Sequence, residues 1–186
     1  LIVAMPKADS APFFYFKDGQ IQGIDVELAQ GLADELQVRL RINRDAASFN
    51  DVVAVIARGE ADVAICKLSR TIGRAKSIRF SDPYLKLRHM LAVNRIRFAA
   101  LSKERDLPSV VRHFEGTIGV IASSSYVDFA RRNFPKAKIV ELPSWNDLVS
   151  ALQKGEVDAA YRDEFEVKRL FKSNPSTSLV LRAVTP

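Results

Sequence analysis

The sequence predicts an α/β protein built as two similar lobes, each a mostly parallel sheet flanked by helices. The first observation behind this is a motif written twice, SFNDVVAVIARGEADVAI at 48–65 and SWNDLVSALQKGEVDAAY at 144–161. Aligned without a gap, Ser, Asn, Asp, Val, Gly, Glu, Asp and Ala recur in place. The second is that each copy reads as helix, glycine stop and strand, the alternation of a parallel sheet. The third is the wide spacing of only two copies, which differs from the short, numerous repeats of a solenoid. Two lobes imply a cleft, and clefts between lobes hold small ligands. The competing reading is two chance amphipathic helices.

Taken in order, residues 1–5 (LIVAM) read as a strand, followed by a loop over 6–12 and an aromatic cluster, Phe13 to Phe16. Lys17-Asp18-Gly19 is a turn signal. Asp25 opens a helix whose apolar face is expected to be Leu28, Ala29, Leu32, Ala33 and Leu36. A strand follows at 38–42. In the first motif copy Ser48 caps a helix, with Asp51 three residues on, and Val52, Val53 and Ile56 at helical spacing. Gly59 is placed for a left-handed stop, and 61–66 is of strand length. SDPY at 81–84 is a turn, and 90–94 is an apolar stretch. A lobe boundary near Asn94 fits the repeat, giving lobe one as 1–94 and lobe two as 95–186.

Lobe two starts with a charged helix or loop over 98–114, then a strand at 117–122. Ser123, Ser124 and Ser125 precede a helix over 126–134, which Pro135 ends. A strand at 139–142 leads into the second copy, where Ser144, Asp147, Leu148, Ala151, Leu152 and Gly155 repeat the earlier pattern. A strand at 157–161, a helix at 165–172, a turn at 174–176 and a strand at 179–184 complete the chain. No low-complexity linker separates the lobes, so the join is expected to be a strand crossing.

Composition narrows the function classes. The chain has 186 residues, 47% hydrophobic and 27% charged, ordinary values for a globular protein with a real core. No apolar run reaches the length of a membrane span. No basic leader precedes LIVAM, and no signal peptide is read there, although an exported mature chain would look the same. Cys66 is the single cysteine and reads as a buried structural thiol. His89 and His113 are far apart, so neither a metal site nor a Cys–His nucleophile is expected. The net charge of +6 is spread along the chain, densest at 131–138 and 79–89. Without a basic stripe or nucleic-acid module, it favours anionic small ligands or an anionic surface over nucleic acid.

Ligands of open α/β sheets bind at the carboxyl ends of strands. After the first repeat strand come Cys66-Lys67-Leu68-Ser69, then Thr71 and Arg74; after the second come Arg162-Asp163-Glu164. The serine run at 123–125, between a strand and a helix start, offers backbone N–H groups and hydroxyls to an anion. A cationic, hydroxyl-lined half and an acidic half together suit a zwitterion.

At this point a resemblance becomes specific. SRTIGRAKSIRFSDPY (69–84) is similar to the signature of the family 3 periplasmic solute-binding proteins, the amino-acid-binding components of ABC importers. APFFYFKDGQIQGIDVELAQGLADEL (11–36), both motif copies and VDAAYRDE (157–164) resemble further pieces, in order, across almost the whole chain. The resemblance implies the bilobed Venus flytrap fold of type II periplasmic binding proteins. It implies that Arg74 clamps a ligand α-carboxylate, that Ser69 assists it, and that Asp163 receives the α-ammonium. By the same resemblance Ser124 and Ser125 are a second carboxylate contact, Phe49 a pocket wall and Phe13 the phenylalanine of the first loop. Plainer readings compete: Arg74 paired with Asp82 on the surface, Asp163 and the serines as helix caps, and Phe13 as core.

The departures are informative. The stacking tyrosine of the family falls at Ser10, an often acidic position is Lys7, a usually small one is Lys67, and Ser123 replaces a frequent glycine. Lys7 and Lys67 argue against a cationic ligand and for an acidic or other carboxylate ligand. The family crosses back to lobe one after its last strand, whereas this chain stops at Pro186, so lobe one is expected to be incomplete.

The leading expectation is a non-enzymatic binding protein, monomeric, periplasmic or extracellular, delivering its ligand to an ABC transporter permease by hinge closure. The alternative is a ligand-sensing domain attached to a membrane receptor, kinase or channel. A third reading is an enzyme, since the resemblance extends to cyclohexadienyl dehydratases and lytic transglycosylases; Glu164 would then be the general acid. No cofactor and no metal are called for.

Overall fold

The computed structural model describes residues 1–102 and 106–186, and the chain divides into two compact units, Leu1–Leu85 and Lys86–Pro186. The first unit runs β1 (Ile2–Pro6), β2 (Tyr15–Lys17), β3 (Gln20–Gln22), α1 (Ile24–Glu35), β4 (Arg41–Ala46), α2 (Phe49–Ala57), β5 (Val63–Ala64) and α3 (Ile72–Ala75). Its sheet is parallel in the order β4-β1-β5, and β2 and β3 form a separate hairpin. Val3, Ala4 and Met5 of the central strand are fully buried, which is why that segment is apolar without alternation.

Local chemistry fixes the helix ends. The Ser48 hydroxyl accepts from the Asp51 N–H, and the Asp51 carboxylate accepts from the Ser48 N–H, a complete capping box for α2. Val52, Val53 and Val55 then carry the buried face of α2. Before α1, Gly23 has φ 127, and a Cβ there would run into the Phe13 carbonyl, so only glycine lets the loop pass so close.

Three expectations shift in this unit. Helix α1 buries its small side chains, Ala29 and Ala33, while Ile24, Leu28, Leu32 and Leu36 remain 36–55% exposed. Alanines permit close approach of the helix backbone, so the leucines are turned outward. The strand expected at 38–42 begins instead at Arg41. Gln37 adopts φ 54 and the Val38 N–H returns to the Ala33 carbonyl, so this segment closes the helix before extending. The strand expected at 61–66 pairs only at Val63–Ala64.

The second unit runs β6 (His89–Asn94), α4 (Arg95–Ser102), α5 (Leu107–Arg112), β7 (Thr117–Ile121), α6 (Ser125–Asn133), β8 (Lys138–Leu142), α7 (Trp145–Lys154), β9 (Ala159–Asp163), α8 (Glu164–Ser173), α9 (Thr177–Val180) and β10 (Leu181–Val184). The middle of the segment read as a charged helix or loop, 103–105, lies outside the described residues. Strand order is β10-β6-β9-β7-β8, with β7 parallel to β8 and β9, and β6 antiparallel to β9 and β10. The sheet is therefore mixed, because β6 and β10 enter as antiparallel neighbours on one side.

Alternation along the strands divides the core. Leu91, Val93, Ile118, Val120, Ala159 and Tyr161 face one layer with Tyr126 and Phe134. Ala92 and Ala160 face the other, with Leu148, Leu152, Val167 and Leu181. Each fully buried leucine contributes about 2 kcal/mol by removing apolar surface from water. Gly155, at φ 74, ends α7 in the left-handed cap that its motif position predicts.

Candidate functional site

In the first unit, β5 leads directly to Cys66-Lys67-Leu68-Ser69 and then to α3. Thr71 caps α3, its hydroxyl accepting from the Arg74 N–H at 3.2 Å. The Arg74 side chain is nearly buried, at 7% exposure. Its Nε and Nη2 donate to Asn50 Oδ1 at 3.2 and 2.9 Å, and its Nη1 donates to the Ser69 carbonyl at 3.1 Å. Both are neutral acceptors that orient the guanidinium. Ser69 is thus joined to Arg74 through its backbone.

Lys67 has φ 47, a left-handed backbone that costs a non-glycine residue about 1 kcal/mol. Its N–H donates to the Tyr84 hydroxyl at 2.7 Å, and its ammonium stands 4.9 Å from the Phe13 ring centre. Phe13 is fully buried and so belongs to the core as well as to this pair. Phe49 is half-buried as the first residue of α2, and Lys7 is exposed just beyond β1. Lys7 is drawn to β4 by its backbone, donating from its N–H to the Ala46 carbonyl and accepting at its carbonyl from Arg44.

Asp25 lies behind this group with no exposed surface. Burial pushes its carboxyl above the ordinary carboxylate range, against the lowering effect of its bond from Tyr84. Burial likewise pushes the Cys66 thiol well up, so it stays protonated and is no nucleophile.

In the second unit, the first turns of α6 and α8 hold the remaining candidates. Ser124, nearly buried, caps α6: its hydroxyl donates to the Ile121 carbonyl at 2.6 Å and accepts from the Tyr126 N–H at 3.3 Å. Ser125, also nearly buried, is the first residue of α6, and Ser123 before it has φ 53. Asp163 caps α8, its Oδ1 accepting from the Glu166 N–H at 3.1 Å, with Oδ2 3.5 Å from Arg162 Nε. The cap readings of Ser124 and Asp163 are therefore realised.

Arg162, noted in the sequence only as a neighbour of Asp163, carries no role in that reading. Its guanidinium is nearly buried, 5.9 Å from the ring centres of both Tyr126 and Trp145, and 3.9 Å from Glu166. Its Nη1 is buried without a hydrogen-bond partner. Asn50, Asp25 and Tyr84 were also missed as site residues. Asn50 had the signal of its repetition as Asn146, while Asp25 and Tyr84 were read only as a helix start and a turn residue.

Glu164 is held below the ordinary glutamate range, first by the hydrogen bond from Lys168 and then by the Arg88 N–H. His89 is pushed below its ordinary value by burial. A groove of about 280 Å³ between α7 and α8 is lined by Trp145, Val149, Gln153, Arg169 and Leu170, and by none of the candidate residues. Among the described residues, no cluster of His, Cys, Asp or Glu could hold a metal ion, and no helix is long and apolar enough to cross a membrane.

The family model of bacterial extracellular solute-binding proteins, family 3, matches residues 1–107. The arginine-binding extracellular protein ArtP of Bacillus subtilis is 26% identical over 170 residues, covering 90% of this chain and 62% of its own length. Membrane-bound lytic murein transglycosylase F of Idiomarina loihiensis is 28% identical over 177 residues, covering 91% of this chain but only 37% of its own. This chain therefore spans less than two thirds of these relatives. Among solved structures, the substrate-binding protein AbpA of an amino acid ABC transporter of Streptococcus pneumoniae, bound to L-arginine, superimposes with a TM-score of 0.77. It is 31% identical, and the match covers 99% of this chain and 74% of that one.

Proposed function

Because the chain belongs to the bacterial extracellular solute-binding proteins of family 3, we propose that it binds an amino acid or related small carboxylate for an ABC importer. The observation that carries this reading is the Arg74 guanidinium, nearly buried and aimed by Asn50 and the Ser69 carbonyl. A planar fork held this way receives a carboxylate through two parallel bonds. In the second unit, taken by itself, Ser124 and Ser125 with the N–H groups of the first turn of α6 offer contacts to an anion, and Asp163 offers a carboxylate to an ammonium.

The ligand side chain is acidic or neutral in this reading. Lys67 already lays a cation on the Phe13 face, so a ligand guanidinium or ammonium there would meet like charge. No catalytic step is assigned: Glu164 is stabilised as a carboxylate by Lys168 and the Arg88 N–H, the wrong protonation state for a general acid. The site of action is periplasmic or extracellular, as the family name implies.

A second reading, a ligand-sensing domain of a larger membrane protein, is favoured by one fact. The transglycosylase relative contains a matching region that is only 37% of its length. Both readings share the same ligand chemistry, so calorimetry with L-glutamate, L-aspartate, L-glutamine and L-arginine tests them together. Binding of an acidic or neutral amino acid, lost in Arg74→Ala, is the expected result. Preference for L-arginine would overturn the acidic assignment, and binding that survives Arg74→Ala would overturn the role of Arg74.

A further inference from the structure

Three residues distant in sequence form one hydrogen-bonded series in the first unit. The Lys67 N–H donates to the Tyr84 hydroxyl at 2.7 Å, and the Tyr84 hydroxyl donates to Asp25 Oδ1 at 3.1 Å. Asp25 has a second tie: its own N–H donates to the Phe13 carbonyl at 2.9 Å. One residue in the first turn of α1 thus anchors both members of the Lys67–Phe13 pair, the lysine through its backbone and the phenylalanine through its carbonyl.

We propose that Asp25 and Tyr84 are positioning residues of the binding site: they lock the left-handed backbone of Lys67 and so hold its ammonium over Phe13. The inference rests on the reading of Lys67 as a ligand-side residue, and it adds the device that sets its direction. Three observations support it beyond the distances. Lys67 carries φ 47, a conformation that an L side chain keeps only when its surroundings over-determine it. Tyr84 is inverted relative to a core tyrosine, since 47% of the residue is exposed while its hydroxyl reaches inward to a fully buried carboxyl. Asp25 Oδ2 is buried with no partner, a cost that tertiary structure tolerates where the other oxygen is needed.

Tyr84→Phe keeps the ring and removes only the hydroxyl, and with it the 2.7 Å acceptor of the Lys67 N–H. Amide hydrogen exchange on the whole chain reads the lock directly. The Lys67 amide should exchange at least tenfold faster in Tyr84→Phe and in Asp25→Ala. Asp25→Asn, which retains an acceptor oxygen, should restore protection. A Lys67 amide that is unprotected in the wild type, or that stays protected in Tyr84→Phe, would overturn the lock.

A double-mutant cycle reads its use, with L-glutamate as the calorimetric probe. Tyr84→Phe should weaken binding about tenfold in the wild type and less than twofold in a Lys67→Ala background, because the side chain it aims is gone. Equal losses in both backgrounds would mean a general structural role and overturn the positioning role. If neither L-glutamate nor L-arginine binds the wild type while exchange follows the expected pattern, the functional reading fails and the lock stands.

Discussion

Arg74 and Asn50 meet through a single oxygen: Nε and Nη2 of the guanidinium both donate to Asn50 Oδ1, at 3.2 and 2.9 Å. The convergence makes Asn50 a side chain that sets the plane of the fork. Asn50 itself is exposed and lies in the first turn of α2, so its removal creates no cavity. Asn50→Ala removes both bonds that aim the fork and should weaken binding of the cognate amino acid by roughly tenfold, while changing unfolding free energy by less than about 0.5 kcal/mol. Calorimetry and urea unfolding separate the two; equal losses in both would show that Asn50 supports the fold rather than Arg74.

Lys67→Gly trades function for stability. Glycine adopts φ 47 without strain, so this variant should be more stable by about 1 kcal/mol or less, the unfolded-state entropy of glycine offsetting part of the gain. It also removes the cation over Phe13, so relative affinity should move from L-glutamate toward L-arginine. Thermal unfolding with each amino acid in turn measures both effects. A destabilised variant with unchanged ligand preference would contradict the account of this position.

Asp163 is expected to show a split between two substitutions. Asp163→Ala removes the cap of α8 and an acidic neighbour of the buried Arg162, costing at least about 1 kcal/mol and more if Arg162 stays buried. Asp163→Asn keeps an oxygen for the Glu166 N–H but no charge for an ammonium. It should lose less stability than Asp163→Ala and still bind an amino acid much more weakly than the wild type. Retention of full affinity in Asp163→Asn would remove Asp163 from the ligand site.

Two groups make stability pH-dependent in opposite directions. Asp25 is raised from its ordinary 3.8, so the folded state prefers the neutral acid. That contribution is complete below 3.8 and is lost as pH rises through the raised value. His89 is lowered from 6.5, so the folded state prefers the neutral imidazole, in keeping with its Nδ1 lying 2.5 Å from the Tyr161 hydroxyl. Its contribution is present above 6.5 and is lost as pH falls from 6.5 toward the lowered value. Asp25→Asn should flatten the loss on raising pH above about 4, and His89→Phe the loss on lowering pH below 6.5. Urea titrations across pH check each, and an NMR titration placing His89 at or above 6.5 would refute the second.

The features legible in the sequence were those decided within a few residues. Ser48 with Asp51, Ser144 with Asp147, and Gly155 as a left-handed stop are short-range hydrogen-bond and backbone requirements, and the α/β alternation followed from them. Arg74, Ser69, Asp163 and the serines of α6 were named because they fall just after strands or at helix starts, positions that the chain itself marks.

What the tertiary structure decided depends on partners far along the chain. Ala29 and Ala33 rather than the leucines are buried on α1, a choice made by what packs against the helix and not by its own periodicity. β6 and β10 join the second sheet antiparallel, a pairing between residues such as Leu181 and Asn94 that no local pattern encodes. The left-handed turn at Lys67 exists because Tyr84, seventeen residues on, accepts its N–H, and Tyr84 in turn is held by Asp25, fifty-nine residues before it. Periodicity marks which residues can be buried; only assembly of the sheet and its helices determines which polar groups meet there.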